Sequence, residues 1–257
     1  MDAEQKWPDT LWIVRHGQSA GNVARDLAEA ASLPRIDVAE RDMDVPLSAL
    51  GQQQADALGG WFGGQPPSAQ PTVVLTSPYL RARSTAERVL AAAGIRREAL
   101  TFVADERLRE KEFGILDRLT RSGIAEQYPE LAEQRAHVGK FYFRPPGGES
   151  WCDVILRLRS LIDTLTRDHR KERVLIVAHQ VIVNCLRYLL ERMDEAQILA
   201  IDKLGDVPNC SITSYLFDPA AGRHGKLVLD LSNFVVPLQQ AGAPVTSAPD
   251  MPAAPKS

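Results

Sequence analysis

The sequence predicts an α/β protein, a three-layer α/β/α sandwich about a mostly parallel central sheet. Three observations carry that prediction. Short apolar runs rich in β-branched residues occur at Leu11–Val14 (LWIV), Thr72–Thr76 (TVVLT) and, beyond its first residue, Arg173–Ala178 (RVLIVA). Segments with helical apolar spacing alternate with these runs along the chain. The runs are near-continuously apolar rather than alternating, as strands covered by helices on both faces must be.

The elements come in order. Residues 1–9 are polar and are expected to be a flexible N-terminus. LWIV ends in Arg15-His16-Gly17, where the chain must leave the sheet. Ala24–Ala31 reads as a helical turn or two, and Pro34 and Pro46 punctuate the stretch after it. Residues of about 25–47 therefore read as an insert over the sheet rim. Ser48–Phe62 reads as a helix with Ala55, Leu58 and Phe62 on one face, and Gly63–Pro71 as a breaker-rich loop. After TVVLT a helix runs from about Tyr79 to Ala93 and stops before Gly94. Thr101–Val103 is a short strand. A second insert covers about 107–148, with short helices at Ile124–Gln127 and Leu131–Val138 and a closing Pro145–Gly148 loop.

Ser150 then caps a long helix with Asp153 in the acidic position of a capping box, and Val154, Leu158, Leu161 and Leu165 form its apolar stripe. RVLIVA ends at His179, and a helix over Val181–Met193 comes next. Ser211–Phe217 and Leu227–Leu231 flank the turn PAAGRHG as a hairpin that need not run parallel to the rest. Residues 239–257 are rich in Ala, Pro and Ser and are expected to be a disordered tail. The domain is thus a single unit over 10–238.

Composition narrows the function. The 257 residues carry 30 Lys and Arg against 33 Asp and Glu, a net charge of -3, with 44% hydrophobic and 25% charged residues. That is globular composition, and its near-neutral charge argues against a dedicated nucleic-acid binder. No apolar run approaches the roughly 20 residues of a membrane span. The opening MDAEQKWPDT lacks the apolar core of a signal peptide, so the expectation is a cytoplasmic protein that meets neither membrane nor nucleic acid. Cys152, Cys185 and Cys210 are scattered without CxxC spacing, which gives no support for a disulfide framework, a redox pair or a metal cluster.

In open α/β sheets, ligands bind beyond the carboxyl ends of the strands. Of the five histidines, His16 and His179 each follow a buried strand directly. Arg15 adjoins the first, and Arg81 lies soon after TVVLT. Two imidazoles and two guanidiniums on one rim would form an anion trap, since arginine presents paired donors to phosphate oxygens. Gly17 allows close backbone approach. Helix starts near Gln180 and Tyr79 would add amide donors. No Cys or carboxylate completes a zinc-ligand spacing, so no metal is expected. Phosphoryl transfer further needs a nucleophile, which a neutral imidazole can be, and a proton donor. Glu110 and Glu112 both qualify, and periodicity does not choose between them.

LWIVRHGQSAGN at Leu11–Asn22 strongly resembles the opening signature of the histidine phosphatase superfamily, the phosphoglycerate mutase-like proteins. TSPYLRARSTAE, LREKEFG, PPGGES, VLIVAH and VPNCSIT resemble its later blocks, in family order as far as Thr213. The resemblance implies the phosphoglycerate mutase-like fold. It implies that His16 is the nucleophile that becomes phosphohistidine and that Arg15 and Arg81 bind phosphate. It further implies that His179 steadies the phosphoryl group, and that Glu110, not Glu112, is the proton donor. Asn22 matches a phosphate- or substrate-contacting position, and Gln18 and Ser19 shape the motif loop. The family's chemistry needs no cofactor.

Mutases of the family carry a longer segment between the acid and the second histidine than Glu110 to His179 spans here. The resemblance therefore favours a phosphatase, akin to fructose-2,6-bisphosphatase and the broad-specificity phosphatases. The implied ligand is a small phosphate monoester or phosphate ion. Phosphoglycerate mutase and a non-catalytic phosphoprotein-binding module on the same fold are the alternatives. Gln180 departs from the glycine usual after the second histidine and could reach the pocket. Arg35 and Arg41 in the first insert and Arg144 beside the glycine pair could read an anionic substrate. An edge strand or the first insert could pair subunits as a homodimer.

Overall fold

Alternate residues of each central strand face opposite layers, and that alternation builds the two halves of the core. The computed structural model describes residues 5–247. In chain order the elements are β1 (Thr10–Arg15), α1 (Ala20–Ala30), α2 (Ala49–Gly63), β2 (Val73–Thr76), α3 (Leu80–Ala92), β3 (Thr101–Ala104), α4 (Arg121–Gln127) and α5 (Pro129–Val138). They continue with α6 (Trp151–Asp168), β4 (Arg173–Ala178), α7 (Gln180–Leu190), α8 (Glu195–Leu204), β5 (Ile212–Asp218), β6 (Lys226–Phe234) and α9 (Val236–Gln240). The sheet order is β3-β2-β4-β1-β5-β6. The first four strands pair in parallel, and the β5–β6 hairpin adds antiparallel to β1.

Leu11, Ile13, Val174 and Ile176 pack on α6 and α7 through Leu158, Leu161, Val183 and Leu186. Trp12, Val14, Leu175 and Val177 pack on α2 and α3 through Leu58, Phe62, Ala86 and Val89. Both faces of β1 and β4 are thus buried, which explains why these runs read as continuously apolar. Leu116, Leu119, Ile124 and Phe143 make a smaller cluster under the second insert. Ser150 and Asp153 form the expected reciprocal cap of α6.

The structure differs from expectation at several places, among them helix α9, which the sequence did not predict. The helix after the first motif is longer and begins at Ala20, because Ser19 caps it and Asn22 returns the bond in a capping box. Helix α8 has no counterpart among the expected elements. Asp194 and Gln197 form its capping box, a signal present in the sequence as D-x-x-Q. At the N-terminus, residues 5–9 are held to the sheet: Asp9 N–H donates to Glu172 O at 2.8 Å, and Phe217 N–H to Asp9 O at 2.9 Å. At the other end, the expected disorder does not begin at 239. Asn209 N–H donates to Thr246 O at 2.8 Å, and Gln54 Nε2 donates to Pro244 O and Thr246 Oγ1 at 2.8 and 2.9 Å. Residues 1–4 and 248–257, to which the same two expectations extend, lie outside the described residues. Among the described residues no helix is long and apolar enough to cross a membrane.

One close approach fixes the first motif against α2. A Cβ on Gly51 would stand 1.9 Å from Gln18 O, and one on Gly17 would stand 2.4 Å from Gly51 O. Gly51→Ala is therefore expected to destabilise the fold by about 1–3 kcal/mol through forced backbone shifts. Gly60 lies on the exposed side of the same helix, where an added methyl would meet nothing within 4 Å. Gly60→Ala should therefore be neutral or stabilising by up to about 1 kcal/mol. Urea midpoints of the two variants read the contrast.

Candidate active site

The register of the parallel strands brings the site together. β1 and β4 pair Arg15 with Ala178, and His16 N–H continues the ladder to Ala178 O at 2.9 Å. On the far side of β4, Ser77 N–H donates to Val177 O at 3.0 Å. Three strand ends therefore stand side by side and carry Arg15-His16, His179 and Ser77. The imidazole centroids of His16 and His179 are 5.1 Å apart, with their planes inclined at 66°. Arg15, His16 and His179 have no exposed surface, Glu110 is 1% exposed and Arg81 2%. Withdrawing five ionisable side chains from water is costly unless they compensate one another, so this cluster is not a surface accident.

His16 Nδ1 lies 2.6 Å from Gly17 O. A carbonyl oxygen can only accept, so Nδ1 carries the proton and Nε2 presents its lone pair. Arg81 Nε donates to that Nε2 at 3.3 Å. Arg15 Nη1 donates to Val207 O at 2.5 Å, Cys210 N–H to Arg15 O at 3.0 Å, and Asn209 Nδ2 to His16 O at 2.9 Å. The VPNC segment thus closes behind the first motif. His179 Nε2 lies 2.8 Å from Ser77 Oγ, and its Nδ1 lies 3.9 Å from Glu110 Oε2. Tyr79 sets its ring 5.2 Å from His179 and donates its hydroxyl to Glu112 Oε1 at 3.2 Å. Its phenol is pushed up by burial and then by the carboxylates of Glu112, Asp42 and Glu110, against Arg81.

Of the two acids that periodicity leaves open, the structure buries Glu110 beside His179 and leaves Glu112 exposed. Glu110 Oε1 accepts from Lys111 N–H at 2.7 Å. Arg157 of α6 pins this loop, bonding the carbonyls of Arg107 and Glu110 and the Glu149 carboxylate. Lys111 packs its ammonium 4.1 Å over the Phe113 ring. Burial lowers its pKa to about 8, opposed by Glu110 and Glu149. Among the described residues no group of three or more His, Cys, Asp or Glu is placed to hold a metal ion.

The remaining expected residues separate into two groups. Asn22 is buried, with Oδ1 accepting from Ser19 N–H at 2.9 Å, so the capping box of α1 also sets its orientation. Gln180 opens α7 and donates to Asp206 Oδ1 at 2.7 Å, next to the Val207 carbonyl that holds Arg15. Gln18 ties the motif loop to α2, through N–H to Gln54 Oε1 at 2.9 Å and through Ser48 Oγ to its Oε1 at 2.7 Å. The close approach that Gly17 allows is to Gly51, a packing contact.

The three outer arginines are exposed. Arg41 is exposed and pairs with Asp44 at 2.6 Å. Arg144 is exposed and pairs with the Asp153 carboxylate that caps α6. Arg35 is exposed in a bridge to Leu119. Sequence reasoning missed Ser77, which no periodicity distinguishes from a turn serine. It also missed Asp42, which the first insert folds back onto Arg81: Arg81 Nη1 donates to Asp42 O at 2.6 Å and to Oδ1 at 3.0 Å.

A profile of the histidine phosphatase superfamily (branch 1) matches residues 11–228. The 6-phosphofructo-2-kinase/fructose-2,6-bisphosphatase of Caenorhabditis elegans is 31% identical over 186 residues, 72% of this chain but 35% of that protein. The chain thus spans about a third of that relative. The 2,3-bisphosphoglycerate-dependent phosphoglycerate mutase of Sinorhizobium fredii is 30% identical over 203 residues, 77% of this chain and 87% of the mutase. Among solved structures, a mycobacterial glucosyl-3-phosphoglycerate phosphatase in complex with VO3 superposes with a TM-score of 0.66 at 28% identity, over 88% of this chain and 100% of that one. The phosphoglycerate mutase of Bacillus anthracis shares the fold at a TM-score of 0.68 and 19% identity, over 94% of this chain and 98% of that one. With a six-stranded sheet of this order, two buried histidines at adjacent strand ends and the family profile spanning most of its length, the chain belongs to the histidine phosphatase superfamily, branch 1.

Proposed function

We propose that the chain hydrolyses a small phosphate monoester through a phosphohistidine on His16. The observation that carries this reading is the pair of buried imidazoles 5.1 Å apart with Arg81 donating to His16 Nε2. A tetrahedral phosphoryl group set against that nitrogen would meet donors from Arg81, Arg15 and His179 on its equatorial oxygens.

In the first step the Nε2 lone pair attacks phosphorus in line, the ester P–O bond breaks, and Glu110 gives its proton to the departing oxygen. The Nδ1 proton held by Gly17 O keeps the tautomer that leaves Nε2 nucleophilic. In the second step water attacks the phosphohistidine, Glu110 as carboxylate takes the water proton, and the P–N electron pair returns to Nε2. Ser77 holds His179 at the third strand end, and Arg157 holds the loop bearing Glu110. Glu110 is buried, with Oε2 3.9 Å from His179 Nδ1, at the site where the departing oxygen would stand.

A second reading is supported by the similarity to the Sinorhizobium mutase, which covers most of both chains. A mutase returns the phosphoryl group to a bound hydroxyl instead of water. The shorter stretch from Glu110 to His179 supports the phosphatase.

Hydrolysis of p-nitrophenyl phosphate in EDTA tests the reading. The wild type should release phosphate, and His16→Ala should lose at least about 10³-fold in kcat. Absence of turnover in a folded wild type would contradict it. Glu110→Gln should lose about 10²–10⁴-fold with an ester whose leaving oxygen needs a proton, such as glycerol phosphate. The loss should be smaller with the acidic p-nitrophenol leaving group, and equal losses on both would remove Glu110 from the proton-donor role. Conversion of 3-phosphoglycerate to 2-phosphoglycerate without phosphate release would establish the mutase instead.

A further inference from the structure

Asp42 lies on the first insert with its carboxylate across the outer nitrogens of Arg81. Nη1 donates to Oδ1 at 3.0 Å and Nη2 to Oδ2 at 3.3 Å, while the Nε of the same guanidinium reaches His16 Nε2 at 3.3 Å. A single guanidinium therefore separates a fixed negative charge from the atom that would receive the phosphoryl group. Asp42 and Glu112 both act on the Tyr79 phenol, as does Glu110. The Tyr79 ring, with its hydroxyl on Glu112 Oε1 at 3.2 Å, thus lies within electrostatic reach of all three carboxylates. Asp117 lines the same recess as Asp42, and its carboxyl is raised by burial first and then by Asp42.

Four of the cations around these carboxylates are already engaged. Arg118 is paired with the Asp117 carboxylate at 3.8 Å and donates to Val38 O and Glu40 O, both at 2.7 Å. Arg109 holds Glu149 at 2.8 Å, and Arg41 holds Asp44 at 2.6 Å. Lys111 is buried over Phe113. A second anionic group on the organic part of a substrate would meet Asp42 with no uncommitted cation among these four to offset the repulsion.

We propose that Asp42 is a specificity-determining residue that turns away phosphate esters bearing a second anionic group, so that the site takes monophosphates whose organic part is uncharged or cationic. This rests on the phosphomonoesterase reading of the same site. It runs against the bisphosphate substrates in the names of the kinase/bisphosphatase and mutase relatives. An uncharged or cationic organic part avoids the repulsion, and hydroxyls on it would find acceptors in the Asp42 and Glu112 carboxylates.

Glycerol 3-phosphate and 3-phosphoglycerate share a carbon skeleton and differ by a hydroxymethyl against a carboxylate. The wild type should favour the first by about tenfold or more in kcat/KM. Asp42→Asn should shrink that ratio at least about fivefold, mainly by lowering KM for the carboxylate-bearing ester. Taking the ratio removes any loss common to both esters from a disturbed Arg81. Equal kcat/KM for the two esters in the wild type, or an unchanged ratio in Asp42→Asn, would overturn the assignment. Calorimetric binding of both esters to His16→Ala, with and without Asp42→Asn, reads the same ratio without turnover. If the wild type hydrolyses neither ester nor p-nitrophenyl phosphate, the proposed function falls while the binding ratio still decides the role of Asp42.

Discussion

The in-register parallel pairing of β1 with β4 is the constraint on which the site depends. Because Arg15 lies opposite Ala178, the residues after each strand must emerge together, and these are His16 and His179. A slip of one residue would turn the apolar side chains of β1 to the wrong layers. The two core clusters resist this, since Leu11 and Ile13 are committed to one and Trp12 and Val14 to the other. Hydrophobic register therefore sets the separation of two catalytic candidates that are distant in sequence.

Around that pair, buried charge is stabilised by backbone as much as by counter-charge. Carbonyls of Gly17, Val207 and Asp42 accept from His16, Arg15 and Arg81. A carbonyl orients a donor without neutralising it, so positive potential is kept where an anion would bind. Asp42 is the exception, a full negative charge on the fork of Arg81. Its position couples the first insert to the guanidinium that reaches His16 Nε2.

Much of this is legible in the residues, for physical reasons. Strands covered on both faces announce themselves as apolar runs, and a polar signature directly after such a run marks a ligand edge. His16, His179 and Arg81 can be placed from that logic alone, whereas the choice of Glu110 over Glu112 needs family resemblance. Burial beside His179 separates the two. The long-range partners are not legible. Asp42 and Asn209 reach the site through loops whose paths no local periodicity encodes, and Ser77, directly after β2, has nothing in its residue type to mark it as a partner of His179. Likewise, Arg35, Arg41 and Arg144 have the charge for substrate binding, and the structure leaves all three exposed, with Arg41 paired to Asp44 and Arg144 to Asp153. The residues at both termini look loose by composition, yet backbone bonds to Glu172 and Asn209 hold those described.

The central claim is that His16 carries the phosphoryl group during turnover. Rapid mixing with a phosphate monoester, quenching in alkali where phosphohistidine survives, and peptide mass spectrometry test it directly. The expected result is one added phosphoryl group on the peptide containing His16, formed before steady state and larger in a variant slowed at water attack. A turning-over enzyme whose only phosphorylated residue is elsewhere, or which never carries phosphorus, would contradict it.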